Sequence, residues 1–291
     1  MSHNYDVVIL GGGSGGYACA LRATQLGKSV ALVERDKLGG TCLHNGCVPT
    51  KALLHAAELA DGAREGSAYG IRSSFDGVDM AGVNAYKDRV VSRLHKGLQG
   101  LVNSAGVTYV EGEGRLVAPT TAEVNGTRYT GADLVLATGS YPRTLPGIEI
   151  GGGVITSDEA LCLAEVPEPV VIIGGSEIGV EFASVWRSFG AEVTIIEALP
   201  SLVPLEDPSL GKHLERAFSQ ARDRVPHRNT RRERQAARYR GTGQSPGWRL
   251  HSRQHGPGGR RARPVLRRPG LRGASHHARP RMGHYRREAP H

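Results

Sequence analysis

An apolar run over residues 6–10, rich in Val and Ile, breaks into Gly11-Gly12-Gly13-Ser14-Gly15-Gly16. Small and apolar residues then recur at helical spacing from Tyr17 to Leu26, with Gly27 just past the end. A second apolar run, 29–33, closes on Glu34. Run, glycine turn, helical spacing and run predict the βαβ unit of a parallel sheet. The same order returns about 160 residues later: a run at 170–173, Gly174-Gly175-Ser176-Glu177-Ile178-Gly179, a helical stretch to Phe189, Gly190, and a run at 192–196 closed by Glu197. Between them, helices are expected at 50–65 and 80–105, the second with Val90, Val91, Leu94, Leu98 and Leu101 on one face. Segments 107–118 and 121–130 alternate as strands of a small antiparallel meander, and 133–137 reads as a buried strand. The fold class that follows is α/β, with tandem Rossmann-like nucleotide-binding domains at 1–150 and 151–221, the second incomplete.

An amphipathic helix begins at 210, and the patterning ends near 218. The last Ile is Ile196, the last Lys is Lys212 and the last Phe is Phe218. Residues 222–291 hold 20 Arg, no Lys and three acids, a net +17. The first 221 residues therefore carry −8 of the chain's total of +9. With no apolar periodicity this tail is expected to be disordered. Two accounts of it stand: a basic arm for nucleic acid, or G+C-rich coding sequence translated out of frame, which enriches Arg, Pro, Gly and Ala and starves the chain of Lys, Ile and Phe. The second is favoured because the switch falls inside an incomplete domain. Arg runs without interleaved aromatics also argue against sequence-specific reading of nucleic acid. A half-built parallel sheet leaves an apolar edge and face uncovered. The chain as written is therefore expected to fold poorly and to turn over slowly or not at all.

Residues 1–6 show no basic region followed by an apolar stretch, as a secretory signal would. No run approaches the ~18 apolar residues of a membrane span. Four cysteines are too few for a secreted disulfide scaffold. A soluble, cytoplasmic protein that does not engage membrane is expected.

In Gly11-x-Gly13-x-x-Gly16, the first glycine permits a tight turn, the second lets backbone approach a pyrophosphate, and the third packs helix on strand. The helix amino terminus favours diphosphate charge, and Glu34 suits ribose hydroxyls. Three glycines alone are weak evidence, since other α/β domains carry such loops; the flanking strand, helix and acid make a dinucleotide site the better account. A sharper motif follows: Gly39-Gly40-Thr41-Cys42-Leu43-His44-Asn45-Gly46-Cys47-Val48-Pro49-Thr50-Lys51. Two thiols four residues apart can close a disulfide where the segment bends into a helix, and a helix start lowers thiolate pKa. A metal site would need further ligands at short spacing, and His44 is the one nearby. Cys19 and Cys162 read as small core or surface residues.

The Cys42–Lys51 segment, eight residues beyond Glu34, resembles the active-site signature of the pyridine nucleotide–disulfide oxidoreductases. Its Thr-Cys-Leu-His form is most similar to the dihydrolipoamide dehydrogenase branch. The resemblance runs from about Tyr5 to about Phe218. It implies FAD and NAD as cofactors and oxidation of protein-bound dihydrolipoamide by NAD+. Cys42 would be the interchange thiol and Cys47 the charge-transfer thiol against the flavin. Lys51 would lie near the flavin's reactive nitrogen, paired with Glu181. Gly11, Gly13, Gly16, Glu34 and Thr41 would hold FAD, with Gly114 of Glu111-Gly112-Glu113-Gly114 at the adenine and Thr138, Gly139 and Ser140 where the chain leaves the FAD domain.

The second loop would hold NAD through Gly174, Gly179 and Glu197, which would repel a 2′-phosphate and so favours NAD over NADP. It departs from the pattern at Ser176, and Glu177 adds a charge; both weaken diphosphate binding. The resemblance implies lipoyl domains of 2-oxo acid dehydrogenase complexes as partners, and a homodimer. The family's interface domain, later Gly-Asp motif and terminal His–Glu acid–base pair have no counterpart here, and His276, His277 and His284 lack the matching context. Alternatives are another NAD(P)-linked disulfide reductase, or an inactive flavin-binding remnant with a nucleic-acid-binding arm. A mercuric reductase would carry a late cysteine pair, and no Cys follows Cys162.

Overall fold

The first apolar run forms strand β1 (Ser2–Leu10), in register with β2 (Val30–Glu34), and the two run parallel from Val7↔Val30 to Leu10↔Val33. Helix α1 (Ser14–Gln25) makes the crossover between them. The computed structural model describes residues 1–224 of the 291-residue chain. The Arg-rich tail, apart from its first three residues, and its histidines lie outside the described residues.

The runs are continuous rather than alternating because both faces are covered. Ile9, Val30 and Leu32 point to one side, where they meet Ala20 of α1, Leu38, Val102 and Val107. Val8, Leu10, Ala31 and Val33 point to the other, against Ala122 and Val124.

The six-stranded sheet has the order β3-β2-β1-β6-β5-β4, with β3 (Thr108–Glu111), β4 (Arg115–Ala118), β5 (Thr121–Val124) and β6 (Thr127–Leu136). This corrects three expectations. Segment 107–118 is not one strand of a meander: β3 lies parallel to β2, and only β4 belongs to the antiparallel part. The division falls at Gly112, whose φ of +146° turns the chain while its N–H donates to the Glu34 carbonyl at 2.8 Å. Segment 133–137 is no separate strand but the end of β6, which pairs antiparallel with β5 and parallel with β1. Nor is it buried, since Leu136 is 60% exposed.

Two helices follow the glycine pair. Helix α2 (Gly40–His44) was not foreseen; α3 (Cys47–Glu65) starts three residues earlier than expected. Helix α4 (Met80–Ser104) is capped by Asp79, whose side chain accepts the Ala81 N–H at 3.0 Å. Its predicted apolar face is only partly turned inward: Val90, Val91 and Leu98 are half-buried while Leu94 and Leu101 are exposed, and the fully buried residue near its end is Val102, which is outside that predicted face.

The second unit follows a short helix α5 (Ser157–Ala160) and consists of β7 (Val170–Ile173), α6 (Glu177–Ser188) and β8 (Val193–Ile196), with the strands parallel in a two-stranded sheet. Helix α7 (Pro208–Arg224) comes last. Phe182, Val185 and Trp186 of α6 pack with Leu53 and Ala57 of α3, Met80, Leu161 and Phe189 in one apolar core. Among the described residues no helix is long and apolar enough to cross a membrane.

Candidate active site

The loop between β1 and α1 is shaped by close approach. Gly11 has φ +105°, and a Cβ there would sit 2.1 Å from the Ala137 carbonyl oxygen. A Cβ on Gly16 would sit 1.7 Å from the Gly11 oxygen, so helix and turn can meet only through glycine. Gly13 differs: its φ of −70° suits any residue, and the nearest heavy atom to a Cβ there is Gly40 Cα at 3.8 Å. The space in front of Gly13 is therefore open, at the amino terminus of a helix with no acid in its first turn. That cradle fits a diphosphate. Glu34 closes it: Oε2 accepts the Gly12 N–H at 2.6 Å and Oε1 the Asp36 N–H at 2.8 Å. Each oxygen keeps a lone pair for a ribose hydroxyl.

Backbone bolts this loop to the dithiol segment. Gly39 donates to the Gly12 carbonyl at 2.9 Å and forms a parallel bridge with Gly13. Gly40, at φ +56°, lies so close that a Cβ would be 2.7 Å from Gly13 Cα. Cys42 then falls within α2, beside Thr41, and Cys47 is the first residue of α3. Both cysteines are present as free thiols. A hydrogen bond with the Cys47 sulfur, then burial, push the Cys42 thiol above the ordinary cysteine range. A hydroxyl from Ser14 and the Cys47 backbone N–H pull the other way. Two thiols sharing a hydrogen bond are placed to close a disulfide and to reopen it by exchange. His44 is committed elsewhere: its Nε2–H donates to the Leu38 carbonyl at 2.8 Å, and its ring meets His95 edge-on at 4.9 Å.

One turn into α3, Lys51 reaches the second unit. Its Nζ lies 2.5 Å from Glu181 Oε1 on α6. The loop preceding α6 repeats the first in detail. Gly174 has φ +114°, and a Cβ on Gly179 would be 1.9 Å from the Gly174 oxygen. Glu197 Oε2 accepts the Gly175 N–H at 2.7 Å.

The remaining predicted positions cluster around the first loop. Ala137 donates to the Leu10 carbonyl at 2.8 Å, which holds Thr138 against Gly11. Gly139, at φ +77°, and Ser140 continue outward into solvent. Gly114 packs over the ends of β1 and β2, where a Cβ would meet Leu10 and Val33 at 2.7 and 2.9 Å. Sequence reasoning missed Ser14, whose link to Cys42 arises only once the two loops are joined. The same holds for His95, a helix residue that meets the His44 ring and whose Nε2 is buried without a hydrogen-bond partner.

Comparison with known proteins agrees with this geometry. Residues 5–233 match the model of the pyridine nucleotide-disulphide oxidoreductases. The dihydrolipoyl dehydrogenase of Bacillus subtilis (strain 168) is 42% identical over 229 residues, covering 74% of this chain and 48% of the relative. A leghemoglobin reductase of Vigna unguiculata is 41% identical over 225 residues, covering 75% and 43%. Among solved structures, the Cu(II) complex of the HOCl-induced flavoprotein disulfide reductase RclA from Escherichia coli matches at a TM-score of 0.63 with 28% identity, over 75% of this chain and 48% of that one. The chain thus spans about half the length of the relatives it matches. With paired cysteines bolted to one dinucleotide loop and tied through Lys51 to a second, the chain belongs to the pyridine nucleotide-disulphide oxidoreductase family.

Proposed function

We propose that the chain is a flavoprotein oxidoreductase of the dihydrolipoamide dehydrogenase type, oxidising protein-bound dihydrolipoamide in the cytoplasm with NAD+ as acceptor. Residues 1–150 hold FAD, and 151–221 begin the NAD-binding unit. The observation that carries this reading is the joining of the Gly11–Gly16 loop to the Cys42–Cys47 pair through Gly39 and Gly40.

In the oxidised state Cys42 and Cys47 form a disulfide. A substrate thiolate attacks Cys42 sulfur, the Cys42–Cys47 bond breaks, and Cys47 leaves as a thiolate. The second substrate thiol then displaces Cys42 from the mixed disulfide. This yields the substrate disulfide and a reduced pair, with two electrons gained by the protein. When bound, FAD carries those two electrons onward to NAD+ as hydride. The chain's own residues position and charge the site: Gly13 admits the diphosphate, Glu34 holds ribose, and Ser14 steadies Cys42. Lys51, balanced by Glu181, keeps a positive charge beside the dithiol helix. The partner in this reading is a lipoyl domain; a second copy of the chain is the family's partner, joined through an interface domain without a counterpart in this sequence.

The test is anaerobic titration of the full chain, after addition of FAD, with dihydrolipoamide. Bleaching of the flavin band in wild type, lost in Cys42→Ser, is the expected result. A chain that retains no flavin, or a flavin reduced equally well in Cys42→Ser, would overturn the reading.

A further inference from the structure

Helix α2 carries Cys42 and is too short to hold its own place, so its position is set by what it touches. Gly39 and Gly40 lie against Gly13 through backbone, and Leu43 is buried. A further anchor is His44, the last residue of α2, which lies between the two cysteines in the chain. Its Nε2–H donates to the Leu38 carbonyl, just ahead of the glycine pair, at 2.8 Å. Its ring stands edge-on to that of His95 on α4, with centroids 4.9 Å apart and planes at 77°. Of these anchors, only the histidine pair titrates in the acid range.

His95 is a poor place for a proton. Its Nε2 is buried and finds no hydrogen-bond partner among the described residues. A neutral imidazole can leave that nitrogen as a bare acceptor and keep its hydrogen on Nδ1, whereas an imidazolium must place an N–H there. A buried charged donor without a partner costs far more than a buried lone pair. Burial first, then the His44 ring and the Lys37 ammonium, hold His95 below the ordinary histidine range. Neither neighbour offsets a charge on it. On α4 itself Arg93 and Lys96 are exposed. The titratable side chains that α1 and β3 bring to the adjoining apolar cluster, Tyr17 and Tyr109, are phenols and carry no charge in acid.

We propose that His44 and His95 are positioning residues for the dithiol, their ring contact docking α2 on α4 so that proton uptake at His95 undocks the turn bearing Cys42. The inference rests on the reading of Cys42 and Cys47 as the reactive pair. With the folded value below the unfolded one, the docked arrangement is favoured above the ordinary histidine range, about 6.5, and lost as pH falls through the folded value. Docking keeps the two thiols within one hydrogen bond of each other, which removes in advance the chain entropy that closing a disulfide would cost. Undocking returns that entropy to the dithiol and shifts the pair toward its reduced form. By reciprocity, a closed disulfide makes His95 harder to protonate.

Equilibration of the full chain with mixtures of oxidised and reduced dithiothreitol tests this from about pH 7.5 to about pH 5.5, across the histidine range. The reaction breaks the dithiothreitol disulfide, forms the Cys42–Cys47 bond, and passes two electrons and two protons from protein to dithiothreitol. That balance is the same in every variant, so the ratio of wild-type to variant closing constants isolates the histidines. Acid-quenched, alkylated samples are read by peptide mass spectrometry. The ratio of wild type to His95→Phe is expected to fall by roughly threefold to tenfold over this range. His95→Met should give the same result, since both variants keep an apolar contact that cannot titrate. His44→Asn, which lacks the ring, should bring the neutral-pH constant down toward the acid wild-type value. A ratio that stays flat with pH would overturn the proposal, as would a constant unchanged by His44→Asn. Neither dihydrolipoamide nor flavin bleaching enters this measurement, so its failure and that of the proposed function are read separately.

Discussion

Glycines in the first loop answer to different constraints, and substitution separates them. Alanine at position 16 would drive a Cβ to 1.7 Å from the Gly11 oxygen, so Gly16→Ala must shift backbone. Gly13→Ala meets nothing nearer than 3.8 Å at an ordinary φ. Gly13→Ala is therefore expected to keep the wild-type urea midpoint while losing FAD, whereas Gly16→Ala loses both. Equal destabilisation by the two would show that the space before Gly13 is needed by the fold and not by a ligand. The dithiol makes a second prediction at this scale. The folded Cys42 pKa is raised above its unfolded value, first by the Cys47 hydrogen bond and then by burial. Its stabilising contribution is complete below the unfolded cysteine range, about 8.5, and is lost as pH rises through the folded value. Reduced protein should then alkylate slowly at Cys42 at pH 7, and lose more urea stability above about pH 9 than Cys42→Ser does. Removing the Ser14 hydroxyl in Ser14→Ala should move the alkylation profile further up in pH. Peptide mass spectrometry of iodoacetamide-treated samples distinguishes Cys42 from the other thiols.

At the scale of elements, α3 is the hinge of the site, with Cys47 at its start and Lys51 one turn on, joined to Glu181 of α6. The ion pair is 61% exposed on the lysine side, so its stabilising worth is about 0–1 kcal/mol. Glu181→Gln should leave the urea midpoint within that margin yet alter flavin reduction by dihydrolipoamide, which stopped-flow absorbance would detect. A large loss of stability instead would make the pair a structural tie. Both βαβ units were legible in the sequence, because glycine clusters bracket their helices and an acid ends each second strand. Helix α2 was not legible: five residues give no periodicity, and its form depends on Gly39 and Gly40 lying against Gly13. Strand β3 was misassigned for a related reason. Four residues, Thr108–Glu111, do not announce their neighbour, and the parallel pairing with β2 ends at the turn at Gly112. The Lys51–Glu181 pairing crosses 130 positions, and only family resemblance anticipated it.

Over the whole molecule, the question is whether the two units fold separately. Their sheets do not join, yet α3 of the first packs on α6 of the second around Leu53, Phe182, Val185 and Trp186. Polar ties accompany that core. Lys87, buried on α4, donates to the Leu161 carbonyl at 2.6 Å, and Asn84 donates to Leu163 at 2.9 Å. At the far end Arg64 of α3 donates to the Ser188 carbonyl at 2.5 Å, and the Ser188 hydroxyl donates to Asp61 at 2.6 Å. A buried lysine and a half-buried arginine bond cannot be abandoned cheaply, since each would leave polar groups unpaired. A two-stranded sheet is also marginal alone and needs packing against helices to persist. Both arguments predict one cooperative transition for residues 1–224 rather than two. Leu53 is fully buried on α3 and faces the shared core, so Leu53→Ala should cost about 2–5 kcal/mol. That cost should lower a single urea midpoint followed alike by tryptophan fluorescence, which reads Trp186 in α6 once the chain's other tryptophan is removed by Trp248→Phe, and by far-ultraviolet dichroism, which reads both units. If the fluorescence transition moves while most of the dichroism transition does not, the second unit unfolds by itself. The Lys51–Glu181 bridge would then span two bodies free to part, and the geometry of the dithiol site would no longer depend on the core behind it.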